Sequence, residues 1–157
     1  MQPKVQEVLS DTFSSILREF AYILTERVPD QELGSAPGEM VDVRMTFRGP
    51  LQGEFRLLVS PDACREVAAN FLGFDEEDDF VNAHLEDGAK ELINIVGGNV
   101  LGNFDNGSEP YVIGIPSARR FDPGEWEAIR GSREKVVLRG DERLFILFLS
   151  ISGRPEA

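Results

Sequence analysis

Residues 144–151 read Leu-Phe-Ile-Leu-Phe-Leu-Ser-Ile, apolar at every position but Ser150. Successive side chains of a strand point to opposite faces, so a strand here is apolar on both. The run is far shorter than the roughly 20 residues of a membrane-spanning helix. It therefore predicts a strand that is central in a sheet or forms an interface.

The rest of the chain alternates helical and strand patterns around that requirement. Val5, Val8, Leu9, Phe13, Ile16, Leu17, Phe20, Ile23 and Leu24 recur at helical spacing. They predict one amphipathic helix over 3–28, stopped at Val28-Pro29-Asp30 because the residue before a proline disfavours helical backbone. Residues 31–38 read as a loop. Val41, Val43, Met45 and Phe47 then alternate with Asp42, Arg44 and Thr46, and Phe55, Leu57 and Val59 return after Gly49-Pro50. That is an antiparallel hairpin. Ser60-Pro61-Asp62 supplies a cap and a first-turn proline for a helix over 61–72, closed by Gly73. The acidic run Asp75–Asp79 lacks the spacing and glycine of a calcium loop and reads as a solvated turn. A second long helix follows over about 82–104, ended by Asp105-Asn106-Gly107. Tyr111–Ile115 is a strand closed by Pro116, and 117–133 are irregular. Lys135–Leu138 and Glu142–Ile151 form two strands joined at Gly140-Asp141, and the tail over 152–157 is disordered. The order αββααβββ predicts one α/β (α+β) domain over 1–157, with long helices packed on an antiparallel or mixed sheet.

Charge and composition narrow the function. A formal net charge of −12 repels phosphate backbones and anionic lipid, so neither nucleic acid nor a membrane surface is an expected partner. The N-terminus carries no signal-peptide pattern, and the single cysteine, Cys64, excludes an internal disulfide framework. A cytoplasmic protein is the simplest reading. Conventional catalytic sets are missing. His84 is the only histidine and reads as a surface or capping residue. Cys64 lies on an apolar helix face, Trp126 reads as a structural anchor, and no Cys/His cluster suggests zinc. Gly97-Gly98-Asn99-Val100-Leu101-Gly102 is not a dinucleotide fingerprint.

What remains is the stretch from Asp87 to Gly102. On a helix, Ala89, Leu92, Ile93, Val96 and Val100 share a core-facing stripe. Asp87, Glu91, Asn94 and Gly98 gather on the opposite side. Gly97, Gly98 and Gly102 each cost about 1 kcal/mol relative to alanine inside a helix. Either they pack tightly against the protein's own sheet, or they let another backbone approach the outward face. An amide such as that of Asn94 both accepts and donates hydrogen bonds, so it can orient a water for in-line displacement. Glu91, one turn earlier, can dock on a basic residue of a partner. Both would then act in trans, on a phosphoryl group and metal held by another protein.

The pattern D-x-x-x-E-x-x-N, filled by Asp87, Glu91 and Asn94, is followed by Gly-Gly-Asn and by a strand ending at Pro116. It resembles the CheC/CheX/FliY family of chemotaxis phosphatases, and its CheX-like members in particular. The resemblance implies a CheX/CheC-like fold and dephosphorylation of the phospho-aspartate of a CheY-like response regulator. It implies that Asn94 places the water and that Glu91 pairs with the regulator's lysine. Asp87 and Gly98 would belong to the docking surface. It also implies Mg²⁺ supplied by the partner, with no metal or cofactor of the chain's own, and a homodimer formed through the sheets, for which strand 142–151 is the candidate. The first helix offers no Glu or Asn at matching places, so one site per chain is expected. The alternative is a non-catalytic module of the same fold that binds receivers or flagellar switch components. A plain α/β domain with a solvated helix face would explain Glu91 but not the glycines.

Overall fold

The computed structural model describes residues 3–73, 75, 79 and 83–153. Helix α1 (Pro3–Ala21) leads into a short strand β1 (Glu26–Arg27), then the hairpin β2 (Val41–Arg48) and β3 (Gln52–Val59). Helices α2 (Pro61–Leu72) and α3 (Leu85–Gly102) follow. Two short strands, β4 (Val112–Ile113) and β5 (Ser117–Arg120), precede a 3-10 turn and a short helix α4 (Trp126–Gly131). The hairpin β6 (Lys135–Gly140) and β7 (Arg143–Gly153) completes the chain. The expected sequence of eight elements is all present, with β1, β5 and α4 added.

The strands form one antiparallel sheet in the order β1-β6-β7-β3-β2-β4, with β5 also on β2. One face carries Val43, Met45, Phe55, Leu57, Val136, Phe145 and Leu147 and is covered by α1, α2 and α3. The opposite face carries Leu58, Val137, Ile146 and Phe148. It is covered by Val28, Leu33, Met40, Phe121, Trp126 and Ile129. Strand β7 thus meets both demands of its sequence. It lies between β3 and β6, and apolar layers close over both of its faces. Over Phe145–Phe148 both of its backbone edges are bonded within the chain, so that segment offers no edge to a second copy, whereas Ser150 and Ile151 pair with β3 alone.

The local chemistry of several elements is as the sequence reads. The Ser60 hydroxyl accepts from the Ala63 N–H at 3.1 Å, Pro61 opens α2, and Gly73 closes it at φ 75°. Four boundaries differ. Helix α1 stops at Ala21, not near Val28, and Tyr22 adopts a left-handed φ of 57°. Ile23 is fully buried, so close to the β6–β7 hairpin that a Cβ on Gly140 would lie 2.6 Å from its Cγ2. Leu24, which continued the helical spacing, is left exposed. The stretch is drawn out to pair Glu26 and Arg27 with β6, and tertiary pairing overrides the local pattern.

The turn between β6 and β7 is Asp141-Glu142 rather than Gly140-Asp141. Both turn residues have positive φ, 51° and 64°, the geometry of a tight hairpin. Residues 117–133 are not irregular: β5 pairs with β2, the Asp122 carboxylate accepts from the Gly124 N–H at 2.9 Å, and α4 buries Trp126 and Ile129. The Trp126 indole N–H donates to the Gly34 carbonyl at 3.0 Å, the anchor expected of it. Finally, β7 runs to Gly153, into the stretch read as a disordered tail. Residues 154–157, and 76–78 of the acidic run, lie outside the described residues, while Asp75 and Asp79 are exposed.

Candidate functional site

Helix α3 is fixed along its length by what it buries. Ala89, Leu92, Ile93, Val96, Val100 and Leu101 face the three-helix side of the core. Glu86 and Asp87 sit in the first turn, where negative charge complements the helix dipole. The His84 ring nitrogen Nδ1 lies 2.9 Å from Asp87 Oδ2, so the single histidine stands at the helix start.

The glycines separate into two groups. A Cβ on Gly97 would fall 2.4 Å from Met45 Cε and 3.2 Å from a Phe55 ring carbon. One on Gly88 would fall 2.6 Å from the Ala68 Cβ and 2.7 Å from its Cα. These two exist for tight packing within the chain. Gly102 has nothing near it, and Gly98 would make only an ordinary contact, 3.9 Å from Ile113 Cδ1. Internal packing therefore accounts for part of the glycine content and leaves the outward face low at Gly98 and Gly102.

Asp87, Glu91 and Asn94 are all exposed. With Lys90 they form one wall of an open cleft of about 440 Å³, and Gly114, Ile115 and Pro116 form the other. The opposite wall is built along the edge of β2 that faces away from β3. There β4 pairs at Phe47 and Arg48, and β5 pairs from Arg44 back to Val41. Between them the Gly114 N–H donates to the Thr46 carbonyl at 2.8 Å. A Cβ on Gly114 would lie 2.7 Å from Thr46 Oγ1, which keeps the backbone close to the strand.

The side chains of Glu91 and Asn94 form no hydrogen bond or ion pair with any described residue. Two neighbouring asparagines behave differently. Asn99 donates to the Ile95 carbonyl at 2.8 Å and Asn103 to the Asn99 carbonyl at 3.0 Å. Asn94 alone of the three keeps its amide open to the cleft, able to accept and donate at once. Among the described residues no cluster of His, Cys, Asp and Glu has the makings of a metal site. Cys64 is buried, and that burial pushes its thiol up to about 12, far from a reactive thiolate.

Sequence reasoning brought together Asp87, Glu91, Asn94 and Gly98, and the structure keeps them on one stripe. It missed Lys90 and Ile115. Lys90 was within reach, since it lies one turn before Asn94. Ile115 was not, because only the pairing of β4 and β5 along β2 brings it to α3.

A family model described as chemotaxis phosphatase CheX matches residues 41–138, a span holding the β2–β3 hairpin, helices α2, α3 and α4, and the cleft. No curated protein matches the chain by sequence. Among solved structures, a chemotaxis protein CheX from Desulfovibrio desulfuricans superposes with a TM-score of 0.68 at 10% identity, covering 95% of this chain and 99% of that one. CheX from Vibrio vulnificus gives 0.66 at 12%, covering 95% and 97%. The CheX–CheY–BeF3–Mg²⁺ complex from Borrelia burgdorferi gives 0.60 at 18%, covering 92% and 96%. At these identities the structural likeness is one of fold. No described helix is long and apolar enough to cross a membrane. The family match extends over most of the chain and takes in α3 with its facing wall, and the chain belongs to the chemotaxis phosphatase CheX family.

Proposed function

We propose that the protein is a phosphatase that hydrolyses the aspartyl phosphate of a CheY-like receiver domain. The observation that carries this reading is the amide of Asn94, exposed in an open cleft and engaged by no other described side chain. The Asn94 carbonyl oxygen accepts a hydrogen bond from a water and its NH₂ group donates one, which holds the water in line with the scissile bond. The water oxygen attacks phosphorus, the bond from phosphorus to the aspartyl oxygen breaks, the receiver's aspartate is left as a carboxylate, and inorganic phosphate leaves with the protons of the water. Holding the attacking water in this way is the part a glutamine plays in GTP hydrolysis.

Glu91 docks on a cation of the receiver, one turn from the reacting centre. Asp87 and Gly98 flank it, and the low helix face at Gly98 lets the partner's backbone come close. The phosphoryl group and Mg²⁺ both belong to the receiver, where the metal neutralises charge on the phosphoryl oxygens. The solved complex of the Borrelia protein with CheY, BeF3 and Mg²⁺ supports a partner of this class. A cytoplasmic location and a homodimer go with the reading. Since β7 is bonded along both edges over Phe145–Phe148, the pairing would use the strand beyond that segment or another surface.

The test is phosphate release from phosphorylated receivers mixed with the full chain. Faster release, abolished by Asn94→Ala, supports the proposal. Binding without any acceleration would make the protein a docking module instead.

A further inference from the structure

Ile115 is 95% exposed, an extreme for a β-branched residue, and it stands on the cleft wall opposite Glu91 and Asn94. Its backbone is not loose. Gly114 on one side is bonded to Thr46, Pro116 on the other restricts the chain, and the strands beyond both are paired to β2. An apolar side chain is thus thrust into water from a rigid seat, and no described residue covers it. Val112, half exposed on the same edge, extends the apolar surface.

The charges of the site sharpen the point. The chain carries −12, and the cleft shows the carboxylates of Asp87 and Glu91 against the single ammonium of Lys90. A phosphorylated partner brings further negative charge to the same place. Beyond the pairing of Glu91 with a cation of the receiver, docking gains from a contribution that does not depend on charge, and a preorganised apolar anchor supplies one without an ordering penalty.

We propose that Ile115 is that anchor: it seats in a hydrophobic depression on the receiver beside the phosphorylated aspartate, and so selects among receivers by shape. This rests on the phosphatase reading above. Truncating a side chain this exposed removes no internal contact, so variants fold.

The experiment titrates the full chain with a purified phosphorylated receiver, following binding and phosphate release for wild type, Ile115→Asp, Ile115→Leu and Asn94→Ala. Ile115→Asp is expected to weaken binding and raise KM about tenfold or more, most at low salt, where the added charge also repels the phosphoryl group, with the loss of apolar contact persisting at high salt. Its kcat at saturation stays within about twofold, and Ile115→Leu restores binding. Binding by Ile115→Asp equal to wild type overturns the inference. If Asn94→Ala is inert while Ile115→Asp behaves as wild type, the anchor alone is wrong. If Asn94→Ala releases phosphate as fast as wild type, the phosphatase reading fails, and the anchor fails with it.

Discussion

The Arg56 guanidinium grips the Asp42 carboxylate with two prongs, Nε to Oδ1 at 2.9 Å and Nη2 to Oδ2 at 2.8 Å, on a carboxylate with no exposed surface. Asp42 also accepts from Arg119 of β5 at 3.1 Å, and Arg56 reaches Glu125 at 2.7 Å. The cluster thereby ties β5 and the turn before α4 to the sheet face opposite the three long helices. Since β5 continues from the Ile115 wall, the same contacts help hold the cleft.

The state of Asp42 sets an acid limit. Burial alone would raise its pKa, but the hydrogen bonds and charge of Arg56, with the charge of Arg44, outweigh burial and hold it below the usual value. With the folded pKa depressed, its contribution is complete above the unfolded value of about 3.9 and is lost as pH falls toward the folded one. Asp42→Asn should cost about 2 kcal/mol at neutral pH, because the half-exposed Glu125 is then left to compensate the buried Arg56. Urea midpoints measured from pH 7 down to pH 3 should show wild type losing stability below about pH 4 more steeply than the variant. Parallel curves would show that Asp42 does not carry the limit.

Asn94→Ala should leave stability within about 0.5 kcal/mol of wild type, because the side chain is exposed and unbonded. Phosphate release should fall by about a hundredfold or more, in kcat rather than KM, as expected when a water-positioning group is lost. A fall in thermal midpoint that tracks the loss of activity would assign Asn94 a structural role instead.

Glu91→Ala should act on the other parameter. Losing one docking charge should raise KM by about tenfold at low salt, with a smaller effect at high salt. An unchanged KM at low salt removes Glu91 from the docking surface.

The glycines of α3 predict opposite signs for one chemical change. Gly88→Ala drives a methyl into the Ala68 backbone and should cost about 2 kcal/mol. Gly102→Ala meets open space and should stabilise by about 0.5 kcal/mol, through loss of freedom in the unfolded chain. Denaturant midpoints of the two variants on either side of wild type are the expected result. A stabilised Gly88→Ala would mean that α2 and α3 pack less closely than described.

The periodic information in the chain was enough for its main elements. Alternation between Val41 and Phe47 marked a strand, the helical stripe from Ala89 to Val100 marked α3, and Ser60, Pro61 and Gly73 marked both ends of α2. These signals are local: each depends on backbone preferences and on one solvent-facing and one core-facing side. The motif residues Asp87, Glu91, Asn94 and Gly98 were legible for the same reason, being neighbours through a single helix.

Tertiary structure decided what depends on residues far apart in the chain. The apolar spacing that included Ile23 and Leu24 could not reveal that the chain leaves the helix at Tyr22, since the reason is the pairing of Glu26 and Arg27 with β6. The glycines of α3 could not be sorted until Met45, Phe55 and Ala68 were in place around them. Nor could sequence set Ile115 opposite Asn94, because two short strands have to lie end to end along β2 before a cleft exists. Local preference selects helix or strand within a few residues, whereas a wall, a contact distance or an exposed anchor is a property of packing.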